Sequence, residues 1–389
     1  MKVLHVIPSV APRYGGPSQA IVEMCRALID EGVEVVIATT NADGERRLEV
    51  ELGTLTSYQD LPTIFFSRQF TEAFKYSYGL ASWLNRNVNS FDVAHIHAIF
   101  SHSSITAARA CIRRNIPYVV QPHGSLDPWS LKQRRCAKAF LWRAGVKRML
   151  CGAAAVDYTL EQEKRLAENS LGINSGVVVP LGVTQQNAAG ESLNFRATVP
   201  SLEHSPYVLL LSRIHRKKNI EALLDAFSRV TALTCNQHWK LVIAGDGDAR
   251  YVGSLKRLAQ RSCGEKVIFT GWLEGAEKAA ALKDAALFAL PSHQENFGLS
   301  VAEAMVWGVP VLISTHVNLA DEIASKRAGW VVDLEGGSLR QALGEAVSNE
   351  VERAQRGAAA KALARSRYSW PAVAKALVHL YRQVQLSQN

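Results

Sequence analysis

A chain of 389 residues is too long for one comfortable hydrophobic core, so two domains are expected. Hydrophobic residues make up 48% of the chain and charged residues 20%, which is typical of a soluble globular protein. The first apolar run is too short for a signal peptide, so no targeting segment is expected, and no apolar run approaches the roughly 18 residues of a membrane span. The six cysteines contain no C-x-x-C pair, so we expect reduced thiols in a cytoplasmic protein, with neither disulfides nor a zinc site.

The net charge of +9 comes from one segment, Arg109 to Arg148, which has ten basic residues and a single acid, Asp127. Within it, Trp129 to Leu150 mixes Lys and Arg with large apolar side chains. This pattern suits a basic amphipathic helix, or a helix pair, on an anionic membrane surface at the inner face of the membrane. It suits equally a solvated face whose apolar side packs inside the protein. Binding of nucleic acid is not predicted, because no recognition motif accompanies the charge.

The first half of the chain reads as alternating strands and helices. Val3 to Ile7 forms a strand, a loop with Gly15-Gly16 follows, and a helix is predicted from Ser18 to about Glu31. The further predicted strands are Val33 to Ala38, Val93 to Ile96, Tyr118 to Gln121 and Ala154 to Tyr158. This order indicates a doubly wound parallel sheet, but the G-x-G-x-x-G motif of dinucleotide-binding proteins is missing from the first turn.

Three histidines that lie on or after predicted strands of this half are candidates for the site. His123 follows a strand directly, in the sequence Q-P-H-G, at the edge of a sheet where ligands bind. His95 and His97 share one face of a strand because side chains alternate. They could form a metal pair, but the sequence shows no third ligand. We therefore expect them to be structural or to line a cleft.

The second half begins after a polar stretch, residues 184–205, which reads as the connection between domains 1–183 and 206–369. The strand Tyr207 to Leu211 is followed by S-R-I-H-R-K-K-N-I, with four fixed positive charges in six residues. Positive charge is unfavourable at the start of a helix, so this loop predicts an anionic ligand. Lys240 to Ala244 and Val267 to Gly271 are further predicted strands. Asp246 and Asp248, which lie between these two strands, have the D-x-D spacing of some metal sites.

The most informative stretch is P-S-H-Q-E-N-F-G-L-S-V-A-E-A-M-V-W-G-V-P, residues 291–310. It follows a buried strand, Ala286 to Leu290, and contains a predicted helix, Leu299 to Trp307. Glu295 in the loop and Glu303 in the helix can face one ligand from two directions. Gly298 allows the backbone to approach a ligand, and the amides at a helix start bind anions. These features predict a site for a molecule with a diphosphate and hydroxyl groups.

The segment E-N-F-G-L-S-V-A-E resembles the E-x7-E motif of retaining glycosyltransferases of family 4, although Asn296 stands where these usually have Gly or Pro. Arg213 and Lys218 match the Arg and Lys that the family has five residues apart. Gly16 lies in a segment similar to the family's glycine loop, and His123 matches a histidine that contacts the transferring sugar. The segment 316–323 departs from the family, which usually has glycines there.

The resemblance implies the GT-B fold, with two Rossmann-like doubly wound α/β domains that face each other across a cleft. The final helix, in residues 370–389, would pack back on the first domain. Family members move a hexose or uronic acid from a UDP- or GDP-sugar to a hydroxyl of a glycan or lipid-linked acceptor. Such reactions serve polysaccharide or glycolipid synthesis, retain the anomeric configuration and need neither metal nor another cofactor.

The resemblance also implies roles for individual residues. Arg213 and Lys218 would neutralise the β-phosphate, Glu303 would bind the ribose hydroxyls, and Glu295 the hydroxyls of the sugar. Glu295 and His123 are thus the expected catalytic residues. The expected donor-binding residues are Gly16, Arg213, Lys218, Phe297, Gly298, Leu299 and Glu303. Two alternatives remain open: another GT-B enzyme, such as a nucleotide-sugar epimerase or a phosphorylase, and a non-catalytic module that binds sugar nucleotides.

Overall fold

The computed structural model describes residues 1–171, 176–184 and 193–387. The chain divides into two compact units. Unit 1 consists of Met1–Gly182 and the C-terminal segment from Ser369, and unit 2 of Val183–Tyr368. Each unit is built on one mainly parallel sheet flanked by helices, which confirms the predicted class of two Rossmann-like α/β domains.

Unit 1 contains an eight-stranded sheet in the order β10-β9-β8-β7-β1-β2-β6-β5, with a separate two-stranded ribbon, β3-β4. Only the β5–β6 pair of the large sheet is antiparallel. The strands are β1 Lys2–Ser9, β2 Glu34–Thr40, β3 Ala42–Asp43, β4 Arg46–Arg47, β5 Leu55–Tyr58, β6 Leu61–Phe66, β7 Val93–His97, β8 Tyr118–Gln121, β9 Ala155–Tyr158 and β10 Gly176–Val178.

The helices of unit 1 cover both faces of this sheet. They are α1 Gly16–Asp30, α2 Tyr78–Asn87, α3 His102–Arg114, α4 Pro128–Lys132, α5 Arg135–Leu141, α6 Lys147–Cys151 and α7 Glu161–Leu171. Helix α1 begins two residues before the predicted Ser18, because Pro17 is well suited to the first turn of a helix. A short π-helix, Trp142–Val146, joins α5 and α6.

Unit 2 contains six parallel strands in the order β13-β12-β11-β14-β15-β16. The direction of winding reverses between β11 and β14, and loops at such a switch point form the ligand crevice of open α/β sheets. The strands are β11 Tyr207–Leu211, β12 Lys240–Ala244, β13 Val267–Gly271, β14 Leu287–Leu290, β15 Val311–Ser314 and β16 Gly329–Val332. The predicted bounds of β11, β12 and β13 are those observed.

The helices of unit 2 are α8 Phe195–Thr198, α9 Ile220–Thr231, α10 Ala249–Cys263, α11 Gly275–Asp284, α12 Leu299–Trp307, α13 Ala320–Ser325, α14 Ser338–Ser348 and α15 Glu350–Arg367. Part of the predicted connection at 184–205 is folded into this unit rather than extended. Phe195 and Leu202 are buried, and Arg196 forms an ion pair with Asp284, because apolar side chains in this polar stretch reach the core. Residues 185–192 of the predicted connection lie outside the described residues.

The last helix, α16 Trp370–Leu386, belongs to unit 1 and packs on α1. Its buried face includes Trp370, Leu377 and Tyr381. A Cβ atom on Gly182 would lie 2.2 Å from the Trp370 ring, so the chain leaves unit 1 in close contact with the start of α16.

Nowhere in the described part of the chain does a helix combine the length and apolarity that crossing a membrane requires.

Candidate functional site

The two loops that the sequence singled out in unit 2 follow the neighbouring strands β11 and β14 at the switch point. After β11 the chain forms a 3₁₀ turn, Arg216–Lys218, before α9, and after β14 it forms the loop that leads into α12. The amide of His293 donates to the carbonyl of Lys217 (2.8 Å), which ties the two loops together. The basic loop and the glutamate loop therefore form one surface of unit 2.

Lys218 and Glu295 meet on this surface. The Lys218 Nζ lies 2.5 Å from the Glu295 Oε1, and their side chains are 14% and 15% exposed. A lysine ammonium has three N–H donors, and at most one of them is used by this single contact. Lys218 can therefore hold Glu295 in place and still donate to an anionic ligand. The sequence analysis assigned these two residues to different parts of the donor and did not predict their direct contact.

Backbone hydrogen bonds hold the Glu295 segment. The amide of Glu295 donates to the carbonyl of His316 (3.0 Å), and the amide of Asn318 donates to the carbonyl of Glu295 (3.1 Å). The Asn318 Nδ2 also donates to the Asn296 Oδ1 (3.3 Å). The two places where the sequence departs from the family pattern, at 296 and at 316–323, therefore contact each other.

Helix α12 begins beside this loop. Gly298 has φ 73° and ψ 57° at its N-cap, a left-handed conformation that glycine adopts without strain. Leu299 is its first residue. The Phe297 ring is 3% exposed and packs edge-on against Tyr368 (centroids 5.4 Å apart), so it anchors the loop to the core and leaves only its backbone for a ligand.

The second glutamate of the motif has its own lysine. The Glu303 Oε1 lies 2.6 Å from the Lys278 Nζ, and both side chains are 23% exposed. Lys278 lies on α11, and the sequence analysis did not identify it. Because Lys278 lies on a different helix, the spacing of residues within the motif does not indicate it. Only the packing of α11 on α12 shows the contact.

Arg213 has an exposed side chain directly after β11. Its guanidinium forms no hydrogen bond or ion pair with any residue that the structure describes, so it is available to a ligand.

Asp246 and Asp248 do not behave as a pair. The Asp248 carboxylate caps α10 by accepting from the Tyr251 amide (2.9 Å), whereas an Asp246 oxygen accepts from the Gly247 amide (2.7 Å). The D-x-D spacing is therefore explained by local backbone structure.

The two predicted site residues of unit 1 lie in loops that follow β1 and β8. Gly16 is the first residue of α1, half-buried after a 3₁₀ turn. His123 has φ 52° and Gly124 has φ 72°, so the backbone turns sharply after β8. The Gly124 amide donates to the buried carboxylate of Glu163 (2.6 Å), which holds this turn. Burial lowers the pKa of His123 to about 4, so its ring is neutral at pH 7.

His123 is in contact with a buried histidine cluster, formed by His5 on β1 and by His95 and His97 on β7. His5 supplies the third histidine that the sequence did not reveal, because β1 and β7 pair in register and place it beside His95. The His95 Nδ1 lies 2.7 Å from the Tyr381 hydroxyl, and its Nε2 lies 3.8 Å from the Asp157 Oδ2. The Nδ1 of His95 is thus engaged by a residue outside the cluster, whereas its buried Nε2 has no hydrogen-bond partner among the described residues.

The histidine cluster predicts that the stability of unit 1 depends on pH. Burial lowers the pKa of His5 to about 3 and of His123 to about 4, and those of His95 and His97 fall well below their usual value. Below pH 6.5 these four histidines take up protons in the unfolded chain but not in the folded one. Burial raises the pKa of Asp157, and a carboxyl that takes up a proton on folding acts in the opposite direction. Stability should fall as the pH falls below about 6.5, by about 1.4 kcal/mol per pH unit for each net proton that the unfolded chain binds and the folded chain does not.

The measurement is hydrogen exchange, followed by mass spectrometry, for peptides of β1 and β7 between pH 7 and pH 5, corrected for the intrinsic exchange rate. The exposed His379 supplies a matched control, because His379→Gln should leave this pH dependence unchanged. Opening free energies that stay constant from pH 7 to pH 5 would contradict the prediction.

The basic segment 109–148 is largely explained by packing inside unit 1. Val146, Met149 and Leu150 are buried in its core, and Leu141 and Trp142 pack against that core. Phe140 is the exception, with 70% of its surface exposed. The arginines and lysines at 132, 134, 135, 143, 147 and 148 of the same segment are exposed. Most of the apolar side of this segment therefore serves the fold, and one exposed aromatic residue remains on a basic surface.

The strand order reverses once in each unit, between β7 and β1 in unit 1 and between β11 and β14 in unit 2, and polar or glycine-containing loops follow the strands there. Two such α/β units in one chain are characteristic of the GT-B class. The sequence matches two families: residues 15–182 match the family described as "Glycosyl transferase 4-like domain", and residues 193–363 match "Glycosyl transferases group 1". The chain belongs to the family-4-like glycosyltransferases of the GT-B fold.

Relatives and solved structures agree with this assignment. An uncharacterized glycosyltransferase of Methanocaldococcus jannaschii is 30% identical over 194 residues, 49% of this chain and 48% of that protein. The chain thus spans about half the length of the first curated relatives that it matches. A GDP-mannose:cellobiosyl-diphosphopolyprenol alpha-mannosyltransferase of Xanthomonas oryzae is 27% identical over 334 residues, 83% of this chain and 81% of that protein.

The crystal structure of Anabaena HepE in complex with UDP and glucose has the same fold, with a TM-score of 0.76 and 17% identity, and covers 98% of this chain and 100% of that one.

Proposed function

We propose that this protein transfers a hexose from a nucleotide-diphosphate sugar to a hydroxyl of a glycan or lipid-linked acceptor, with retention of the anomeric configuration. GDP-mannose is the first donor to test, because the Xanthomonas oryzae relative that matches most of the chain is named for it. The observation that carries the proposal is the contact of Lys218 with Glu295 at the switch point of unit 2, beside the start of α12.

The proposed chemistry follows from the charges on this surface. Cleavage of the bond between sugar and diphosphate leaves negative charge on the β-phosphate. Arg213 and Lys218 stabilise this charge as it develops, together with the amides at the start of α12. A cation fixed in place by a carboxylate does not have to reorganise during the reaction. This electrostatic role is the one that a bound metal ion fulfils in other transferases, so we propose a reaction that requires no metal.

The two glutamates have different roles in the proposal. Glu303, held by Lys278, accepts hydrogen bonds from the ribose hydroxyls and fixes the nucleoside. Glu295, held by Lys218, accepts from hydroxyls of the transferred sugar near the reacting carbon. For His123, in unit 1, the proposed role is that of a neutral hydrogen-bond donor to a sugar hydroxyl. Retention follows if the acceptor attacks from the side that the diphosphate leaves, with the leaving phosphate as the proton acceptor.

The experiment that tests the function is a donor panel of UDP- and GDP-hexoses and uronic acids, with nucleotide release measured in EDTA and with added Mg²⁺. A transferase releases nucleotide from one donor, and the rate rises with a suitable acceptor. Binding of a sugar nucleotide without turnover would favour the non-catalytic module. Turnover of the donor to an isomeric sugar nucleotide would favour an epimerase.

A lipid-linked acceptor lies at a membrane surface, and for that surface we propose contact through the basic helix α5. Phe140 is exposed on this helix, and the exposed Arg134 and Arg135 lie at its start, a combination of aromatic and basic side chains that suits an anionic bilayer. The energy of such a contact is about 1 kcal/mol for each basic residue near the surface, so the attachment is reversible.

We expect the protein to float with vesicles that contain phosphatidylglycerol and to be released by 0.5 M salt. This concentration is about three times the physiological one, at which the screening length is about 8 Å, so the attraction between the basic residues and the vesicle is screened more strongly. The double variant Arg134→Glu, Arg135→Glu should float several-fold less, whereas the double variant Arg229→Glu, Arg257→Glu, at two exposed positions of unit 2, serves as a control of equal charge change. Flotation that is equal on neutral and anionic vesicles would refute this contact.

A further inference from the structure

His123 is the end of a continuous hydrogen-bonded path through the interior of unit 1. The His97 Nδ1 lies 3.2 Å from the His123 Nε2 and 3.1 Å from the Gln121 Oε1. On its other side, the His97 Nε2 lies 3.0 Å from the His5 Nδ1. His5 and His97 have no exposed surface, and the rings of His97 and His123 are stacked with centroids 5.5 Å apart. The side chain of His123 is therefore held by a buried ring.

One end of the path is fixed by the hydrogen bonds of Gln121 and Asp157, and these bonds determine which atoms along the path donate. The Gln121 Nε2 donates to the Asp157 Oδ2 (3.0 Å), and the Asp157 Oδ1 accepts from the Val179 amide (3.1 Å). An amide group that donates through its nitrogen turns its carbonyl oxygen the other way. The Gln121 oxygen thus faces His97 and can only accept. His97 must supply the proton from Nδ1.

The protonation of His97 decides that of its neighbours. A neutral imidazole carries one proton, so His97 with a proton on Nδ1 accepts at Nε2, and His5 donates from its own Nδ1. The Nδ1–H of His97 also points to the Nε2 of His123, which can then only accept. His123 is neutral at pH 7, so its single proton resides on Nδ1. That Nδ1 is buried and has no hydrogen-bond partner among the described residues.

We propose that His97 and Gln121 are positioning residues that fix His123 as the Nδ1–H tautomer, so that it presents an N–H donor to a hydroxyl oxygen of the transferred sugar. The role at the sugar rests on the proposed function, but the tautomer does not. A buried donor without an acceptor is unfavourable by itself, and such groups are retained where a ligand completes them. The sharp turn at His123 and Gly124, held by Glu163, fixes the backbone of the same residue.

The same cluster could be read as a metal site, since His5, His95 and His97 offer ligand atoms within 4.8 Å of one another. The partners of His95 argue against this interpretation. Its Nδ1 bonds to the Tyr381 hydroxyl, and the facing nitrogens of His5 and His97 bond to each other (3.0 Å), so these three nitrogens are already used. The hydrogen-bonded path accounts for more of the observed contacts than a bound ion does.

The first test is the tautomer of His123 in the unmodified protein, read from a long-range ¹H–¹⁵N correlation spectrum of ¹⁵N-histidine-labelled protein at pH 7.5. His123→Gln identifies the resonances, and His379→Gln controls for the loss of an unrelated ring. We expect protonated Nδ1 and unprotonated Nε2 at His123. The opposite tautomer would overturn the proposal, and so would one equivalent of zinc per chain in protein purified without a histidine tag.

The second test uses substitutions of His97, with folding checked by thermal unfolding. His97→Leu removes the donor to His123, and we expect mixed His123 tautomers and a fall in kcat of about tenfold, the worth of one neutral hydrogen bond, with KM for the donor nearly unchanged. His97→Asn, whose amide can donate from a similar place, should restore both. An unaltered tautomer in a folded His97→Leu protein would refute the path. Absence of transfer in every variant, with the expected tautomers, would refute only the proposed function.

Discussion

Replacing Lys218 with methionine is expected to lower the rate of sugar transfer by about 10²- to 10³-fold, the typical loss when one preorganised stabiliser of transition-state charge is removed. Lys218 is the cation that the fold holds against Glu295, at 2.5 Å and with little exposure to water. Methionine keeps most of the length of the side chain and removes the charge. The loss should appear mainly in kcat, because the charge on the leaving diphosphate increases as the bond breaks.

The neighbouring Lys217 provides the matched control, since Lys217→Met changes the same charge in the same turn. We expect its kcat to remain within about threefold of the wild-type value, as is usual for a charge outside the reaction centre. Initial rates of nucleotide release with saturating acceptor measure both variants. Equal losses in the two would mean that the loop acts through its overall charge and that Lys218 has no special role.

The contact with Glu295 adds a second expectation to the same experiment. Glu295→Gln should also lower kcat strongly, because the carboxylate both orients Lys218 and accepts from the sugar. The double variant should be little worse than the poorer single variant, since residues that act as a unit are not additive. Losses that multiply in the double variant would show that the two side chains work independently. Thermal unfolding of each variant separates these effects from a loss of stability.

Replacing Gly245 with alanine is expected to remove about 3 to 6 kcal/mol of stability, a large part of the roughly 5 to 15 kcal/mol that holds a domain folded. Gly245 has φ 143°, a backbone conformation that side chains disfavour, and a Cβ atom there would lie 1.8 Å from the carbonyl oxygen of Ser212. The amide of Ser212 donates to Ala244 (3.0 Å) and that of Gly245 to Gly271 (2.7 Å), so neither segment can move away freely.

Gly253 is the control for this substitution. It lies inside α10, and a Cβ atom there meets nothing closer than the end of the Arg257 side chain, at 3.6 Å. Gly253→Ala should therefore stabilise the protein by about 0.5 to 1 kcal/mol through the better helix propensity of alanine. Soluble yield and urea unfolding measure both. A Gly245→Ala protein that unfolds at the wild-type urea concentration would mean that the close approach to Ser212 is not rigid.

Much of the parallel core was predictable because its strands are short, mostly apolar runs bounded by polar loops. The bounds of Tyr207–Leu211, Lys240–Ala244 and Val267–Gly271 were predicted as observed, although the last is an edge strand without fully buried residues. The antiparallel β5 of unit 1 was missed, since Leu55–Tyr58 is an edge strand with exposed residues and no apolar run. Phe195 was placed in a connection because a single buried aromatic residue in a polar stretch gives no periodic pattern.

In the candidate site, too, some features were predictable from the sequence and others were not. The motif spacing and the resemblance singled out Glu295, Glu303, Arg213 and Lys218, and their roles at the donor stay predictions. Sequence spacing could not reveal Lys278, which reaches Glu303 from another helix. It also could not reveal that Asp248 caps a helix or that Phe297 is buried, because both depend on how the local chain folds.

By itself, the sequence determined the class of this protein, since short-range patterns of buried strands, glycine turns and charged loops are sufficient to specify two doubly wound sheets. Only the tertiary structure decided which side chains meet. The contact of Lys218 with Glu295 spans 77 positions, and that of His5 with His97 spans 92. Parallel strand pairing brings such distant residues together through crossover connections. The strand order that places them side by side cannot be deduced from local sequence spacing.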